Sequence, residues 1–337
     1  MKTIYLQLIS SLFTATLLVA CGGGGDNGNN GSSANQTPPA AITGTNANAL
    51  AKTSLFSNST AGVNPAPVGS VTTDAALSSM IQTLSRLPHQ FSITNTQAAQ
   101  SALAVTTNPL RGSCGGTGSY SISVDSANGS FSGSLTFNSF DDCHGVINGS
   151  ATFTGTVALS NALISLTSLS FTFTNLALGD TTATTTFNGT LTVGFPEVGS
   201  MFTMDMVATD NNGVSIRIEN FAVQVIPVQL TTTNPAYYVI GTSGRFYQSQ
   251  YGYIDVSTFT DIKIATGGGY PYAGVMLLKG ANGIAGGPTR ARLTFATANN
   301  YLLEVDSNGD GIYELTGGCN WADTCTLLTV PVINAVP

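Results

Sequence analysis

The sequence predicts a mainly β protein, an antiparallel meander forming a β-sandwich or open barrel-like sheet, preceded by a short helical segment and a disordered tether. Three observations predict it. From residue 119 onward large apolar residues alternate with Ser and Thr, as in Tyr120, Ile122 and Val124, then Phe131, Leu135 and Phe137, which is the period of a strand with one buried face. Asn-Gly pairs recur at Asn128-Gly129, Asn148-Gly149, Asn188-Gly189, Asn212-Gly213, Asn282-Gly283 and Asn308-Gly309, and such pairs favour tight type I′ hairpin turns. Charged residues make up only 8% of the chain while 42% is hydrophobic, so Ser, Thr, Asn and Gly must supply the polar faces.

The elements follow in order along the chain. Residues 1–20 read as a signal peptide and residues 21–71, rich in Gly, Asn, Ser, Ala, Thr and Pro, as a flexible tether. A Gly-x-Gly-x-x-Gly match at Gly23, Gly25 and Gly28 neither follows a strand nor opens a helix, so it carries no dinucleotide reading. Residues 72–110 read as a short helical segment. Its helix spans 74–87, with Thr72 or Thr73 as N-cap, one face formed by Leu77, Met80, Ile81, Leu84 and Leu87, and Pro88 as its end; a second short helix is expected over 97–105. A β domain then covers 111–230. A second β region, or a continuation of the same sheet, covers 231–337, with a linker at Thr231 to Pro235. Strands are expected around Ile122, Leu135 and Val157, over 169–173, 190–195, 202–207, 214–218, 221–226 and 237–240, and over 253–259, 274–279, 289–295, 301–305 and 312–315. The similar segments beginning at Asn148 and Phe187 set no fixed period, and both Asn-Gly pairs in them are expected to be turns.

After Cys21 four cysteines remain, and an even number in an exported chain favours disulfides. Of the three pairings, Cys114 with Cys143 and Cys319 with Cys325 is the most economical, because each couple brackets one local unit. Loop entropy assigns them about 3.5 and about 2.5 kcal/mol respectively. A zinc site of four cysteines would show close Cys-x-x-Cys pairs, which this chain lacks.

The first residues resemble a bacterial lipoprotein signal. Lys2 is a basic start, residues 4–19 are apolar but too short and too interrupted to span a bilayer, and Leu18-Val19-Ala20-Cys21 matches the lipobox. That resemblance implies cleavage before Cys21 and acylation of its thiol and new amino terminus. More than one acyl chain holds a protein durably on a membrane. Gly22 in place of Asp resembles the class sorted to the outer membrane of a host with two membranes, so a lipid-anchored outer-membrane location is expected.

Candidate chemistry is sparse. Asp306, Asn308 and Asp310 with Gly311 match the start of a calcium loop, and Glu314 lies close behind, but Gly317 stands where the bidentate Glu belongs and the flanks read as strands. Glu304, Asp306, Asp310 and Glu314 crowd four carboxylates into eleven residues with no basic neighbour in sequence, which favours a cation such as calcium. A plain hairpin turn also accounts for Asn308-Gly309. Asp141-Asp142-Cys143-His144 reads as a polar turn beside a disulfide rather than an acid-base cluster, and no nucleophile elbow, Walker loop or His-Glu-x-x-His is present. No catalysis is therefore expected, although Glu197 and Glu219 are the isolated acids a glycan-acting hydrolase would need. Tyr237, Tyr238, Tyr247, Tyr251, Tyr253, Tyr270 and Tyr272 gather seven of eleven tyrosines into 36 residues. Tyrosine serves both core and interface, and an outward set of Tyr247, Tyr251, Tyr253, Tyr270 and Tyr272 beside Arg245, Gln248 and Gln250 would suit glycans or envelope proteins.

The segments around Ser113-Cys114, Phe140-Asp-Asp-Cys143, Asn148-Gly-Ser-Ala-Thr-Phe, Gly244-Arg-Phe-Tyr, Tyr251-Gly-Tyr-Ile-Asp-Val and Glu304-Val-Asp-Ser-Asn-Gly-Asp are similar to a proteobacterial family of β-rich lipoproteins. The resemblance implies a fold and a location but no activity. It supports a lipid-anchored envelope protein with a binding or structural role. The alternative classes are an outer-membrane pore or barrel, against which the strands read as too short, and a glycan-acting hydrolase. The net charge of -7 and the scattered Lys and Arg exclude nucleic acid as a partner.

Overall fold

The computed structural model describes residues 38–59, 80, 106–125, 129–143, 145–160, 163–179, 184–196, 199–229, 235–265, 270–321 and 325–330. All lie in the unit Thr37–Pro337. Among the described residues a helix with both ends in view, α1 (Ala47–Ser59), is followed by fifteen strands: β1 (Thr106–Arg111), β2 (Gly115–Asp125), β3 (Ser130–Asp141), β4 (Val146–Ser160), β5 (Leu163–Gly179), β6 (Thr184–Gly194), β7 (Ser200–Asp210), β8 (Ser215–Gln229), β9 (Pro235–Gln248), β10 (Gly252–Ala265), β11 (Ala273–Asn282), β12 (Pro288–Phe295), β13 (Asn300–Asp306), β14 (Leu315–Asn320) and β15 (Leu328–Thr329). They form one antiparallel meander in strict chain order, and β1 and β15 remain separate edges, so the sheet does not close into a barrel. Because β8 pairs with β9 from Ile216 to Gln229, the region after residue 231 continues the same sheet.

One face of this sheet is apolar along its whole width. Tyr120, Leu135, Phe153, Phe171, Leu191, Met204, Phe246, Ile254, Leu278, Leu293 and Leu303 point to it and are buried together. The other face carries hydroxyls that pair across strands, as in Ser121 with Ser134, Thr156 with Ser168 and Ser170 with Thr192. Phe131 stands opposite Gly155 and Phe153 opposite Gly133, and each ring fills the space its glycine leaves: a Cβ on Gly133 would lie 2.3 Å from the Phe153 ring. The rings then run as a ladder, Phe131 to Phe153 at 6.1 Å and Phe153 to Phe171 at 6.4 Å.

Curvature comes from a row of bulges. Asn138 and Ser139 oppose Asn148, Thr174 and Asn175 oppose Asn188, and Glu219 and Asn220 oppose Asp205. Ser139, Asn175 and Asn220 adopt positive φ, and the Asn148 and Asn188 side chains accept the N–H of Ser139 and Asn175 at 2.8 and 2.9 Å. Further register shifts occur in β9 at Gly244 and in β10 against Gly274. Each bulge bends and twists its strand, and aligned across neighbouring strands they give the sheet a common line of bending. The sheet thereby curls over its apolar face.

That face is completed from the N-terminal side. Ala40 donates its N–H to the Tyr253 carbonyl at 2.8 Å and accepts from Ala281 at 2.8 Å, and the Ile42 N–H reaches Thr289 Oγ1 at 3.0 Å. The chain thus straps β10, β11 and β12 together before entering α1. A Cβ on Gly252, at φ 106°, would lie 2.4 Å from the Pro38 carbonyl, so only glycine admits the strap there. Asn46 precedes α1, accepting from the Thr43 N–H at 2.8 Å, and Ala47, Leu50, Ala51 and Ser54 form its buried stripe. Ser54 satisfies its hydroxyl on the Ala51 carbonyl. No described helix is long and apolar enough to cross a membrane.

Several expectations change. Residues 38–59 form a strap and a helix where a flexible tether was expected, because a helix built on Ala with few large residues has a linker's composition. Of the helix expected over 74–87 only Met80 is described; it is helical and buried. The second helix lies outside the described residues. Asn148-Gly149 and Asn188-Gly189 sit inside β4 and β6 at bulges, not in turns, and the strands expected over 214–218 and 221–226 are one strand bent at Glu219 and Asn220. Strands β2 to β10 therefore run from 11 to 17 residues, longer than the alternation alone shows.

Candidate functional site

The outer face of β8, β9 and β10 concentrates aromatic and charged side chains. On β9, Phe246 and Gln248 point inward and are buried, so Arg245 and Tyr247 point outward; on β10, Gly252, Ile254 and Val256 face inward, so Tyr253 and Asp255 face outward. Register brings Tyr247 beside both Tyr253 and Arg217, and Arg245 beside Glu219. Arg245 Nε donates to Asp255 Oδ1 at 2.9 Å while its guanidinium lies 4.1 Å over the Tyr253 ring. The hydrogen bond it donates to Asp255 raises the Arg245 pKa further, fixing it as a cation. Arg217 pairs with Glu219 at 2.7 Å. On the same strands, beyond the line of bulges, Lys263 stands 5.2 Å over the Tyr237 ring. The strip thus presents phenol rings paired with cations and charges already held in place, an arrangement suited to stacking and hydrogen bonding.

The five tyrosines expected as one platform separate. Tyr247 and Tyr253 form the strip. Tyr251 sits in the β9–β10 turn and packs against the core, and Tyr272, before β11, donates its backbone N–H to the Lys263 carbonyl at 3.0 Å. Tyr270 is half-buried against the core, stacked on Trp321 at 4.9 Å and 12°, with Phe295 and Tyr301 on the same indole. Gln248 turns inward and leaves the platform, whereas Gln250 is exposed in the turn. Arg217, Glu219 and Asp255, which alternation places on the outer face with Tyr247 and Tyr253, join it.

The acidic loop between β13 and β14 gathers Asp306, Asn308, Asp310 and Glu314, and its oxygens cap the loop's own backbone. Asp306, wholly buried, accepts from Gly309 at 2.7 Å through Oδ1 and from Gly311 at 2.9 Å through Oδ2. Asn308 Oδ1 accepts from the Asp310 N–H and Asp310 Oδ1 from that of Ile312, each at 2.8 Å. Glu314 Oε1 accepts from the Ser307 N–H at 2.7 Å, and its Oε2 is buried without a hydrogen-bond partner. Glu304 does not join the cluster. Arg292, opposite it on β12, holds both its oxygens at 2.6 Å and lies 4.6 Å over the Tyr313 ring, so the crowding of four unneutralised carboxylates is relieved by a base the sequence places twelve residues away. Among the described residues no three His, Cys, Asp or Glu side chains converge as a metal site.

Both cysteine pairs are bonded, Cys114 to Cys143 with Cα atoms 5.1 Å apart and Cys319 to Cys325 at 4.7 Å. Beside the first, buried Asp142 accepts from the Ser113 hydroxyl and Asp141 Oδ1 from the Cys143 N–H at 2.8 Å, the polar turn that the sequence suggests. Glu219 is engaged by Arg217. Cys21, Glu197, His144 and the glycines at 23, 25 and 28 lie outside the described residues. Fold and strip together define an all-β protein of one curled sheet with an aromatic and charged outer strip. No protein-family model, curated protein or solved structure matches this chain.

Proposed function

We propose that this chain is a lipid-anchored protein of the bacterial outer membrane that binds an envelope protein or glycan through the outer face of its sheet. The lipobox ending at Cys21 supports the location. The observation that carries the binding role is the strip itself: Tyr247 and Tyr253 lie side by side, and Asp255 holds Arg245 over Tyr253. Preorganised aromatic and arginine side chains are the groups that dominate binding energies at interfaces. A pore is the poorer match, because the apolar face of the sheet is the inner one and a lipid-facing barrel carries it outside. A glycan hydrolase needs two acids across a cleft, and Glu219 is tied to Arg217.

Two measurements test the proposal. Cys21→Ser should move the protein from the membrane fraction to the soluble fraction; retention that still needs detergent would favour the pore. Crosslinking in intact cells, followed by identification of co-purifying envelope components, should lose its main products in the Tyr247→Ala, Tyr253→Ala double variant. Unchanged products in a folded variant would overturn the strip. Calcium in the loop of Asp306, Asn308, Asp310 and Glu314 is a second reading, supported by the unpartnered Glu314 Oε2. Calorimetric titration with calcium should then give heat beyond dilution, and its absence removes the site.

A further inference from the structure

In a meander, alternate connections fall at the same end of the sheet. The turns β9–β10, β11–β12 and β13–β14 therefore share one rim, the rim on which Pro38 and Ala40 strap the start of β10 and the end of β11. Two of these turns interlock. The Ala285 N–H donates to the Asn308 carbonyl at 2.9 Å, and Gly309 fits so closely that a Cβ would lie 2.0 Å from the Gly287 carbonyl. From this joined pair of loops two large apolar side chains project into solvent: Ile284 is 97% exposed and Ile312 51%. Gly283, Ala285, Gly286 and Gly287 around Ile284 are small, so nothing in the turn shields it. Lys279 and Arg290, paired in register and both exposed, stand about 10 Å behind the Ile284 tip. Apolar tips backed by cations at that depth match a bilayer's acyl boundary and its phosphate layer.

The length of chain before the strap selects the occupant. Sixteen residues separate Cys21 from Pro38, a reach of at most about 60 Å. The chain enters the fold at this rim, whereas the opposite end lies a strand away, about 45 Å for β10. Along the chain, the rim with Ile284 and Ile312 is therefore the part of the sheet nearest to a lipid anchor at Cys21. We propose that this rim docks on the lipid surface to which Cys21 is anchored, with Ile284 and Ile312 entering the acyl boundary and Lys279 and Arg290 meeting phosphates. The outer strip then stands upright on the membrane with its strands pointing away from it. This orientation rests on the anchoring at Cys21 proposed above.

The test uses the full, processed and lipidated chain in vesicles of phosphatidylethanolamine and phosphatidylglycerol with brominated acyl chains. Ile284→Trp and Ile312→Trp place an indole on the rim, and Ala298→Trp places one in the β12–β13 turn at the opposite end. Trp321 is buried and supplies a constant background. The rim indoles should shift to the blue and be quenched by bromine, and the one at 298 should do neither. Equal signals at the two ends, or a rim indole emitting as in water, overturn the docking. So does a doubling of mass in detergent that Ile284→Asp abolishes, which would make the tips a self-association site. Flotation with the vesicles reports the anchor separately: a chain that fails to float refutes the lipidation at Cys21, and the docking falls with it.

Discussion

Tyr301 shows how one side chain links core, helix and solvent conditions. Its ring packs on Trp321 at 4.4 Å, its hydroxyl donates to Asn48 of α1, and burial pushes its phenol well above the ordinary tyrosine value of about 10. Burial also pushes up Tyr313, against the lowering effect of Arg292. The folded state holds both protons more tightly than the unfolded chain, so this stability is complete below the ordinary value and is lost as pH rises through the raised one. Melting temperature should hold steady to about pH 9 and fall above about pH 10, and Tyr301→Phe should blunt the fall; an identical alkaline limb in that variant would show that the buried phenol is not its cause. Gly133 and Gly155 act by what they lack. A methyl on Gly133 meets both the Phe153 ring and the Ser121 carbonyl, so Gly133→Ala should cost about 1–3 kcal/mol, read as a lowered denaturation midpoint at constant m-value. The Phe-x-Gly pattern at residues 131–133 and 153–155 is legible in the sequence, but the reciprocal pairing appears only once register is known, because it depends on which residues stand opposite.

Among the elements, the bulged strands carry the shape. Asn148 and Asn188 each accept a backbone N–H that the bulge removes from the ladder, and because both N–H groups are exposed and water replaces the lost acceptor, Asn148→Ala and Asn188→Ala should each cost about 0.5–1.5 kcal/mol. Amide exchange should rise first at Ser139 and Asn175, and uniform exchange across β3 and β5 would deny the side chains that role. These same positions explain where sequence reading fails. Asn-Gly is the strongest short hairpin signal, and here it marks two bulges, since both structures need a residue of positive φ and a side chain that replaces a backbone acceptor. A helix such as α1 fails for the opposite reason. Its stripe of Ala47, Leu50, Ala51 and Ser54 has helical spacing but almost no hydrophobic contrast, and only the space left by a curled sheet selects residues so small.

For the whole molecule, a meander of fifteen strands has few contacts between distant segments, and covalent closure matters at its start. Cys114–Cys143 joins the β1–β2 and β3–β4 turns on the rim that also bears the strap. Replacing both cysteines by Ala should lower stability by about 3.5 kcal/mol and free the edge strand β1 first; hydrogen exchange confined to β1 and β2 would confirm the locality, and uniform loss across the sheet would show a global unit instead. The Cys319–Cys325 pair acts at the opposite end, under β15.

By itself the sequence determined the β class, the two cysteine pairs and the identity of most inward residues, because alternation and cysteine spacing are local properties. Only the tertiary structure decided that there is one sheet, that α1 and the strap fill it, that Tyr270 faces inward while Tyr247 and Tyr253 face outward, and that Arg292 neutralises Glu304. Those outcomes turn on register and curvature, and a shift of one residue moves every side chain to the other face.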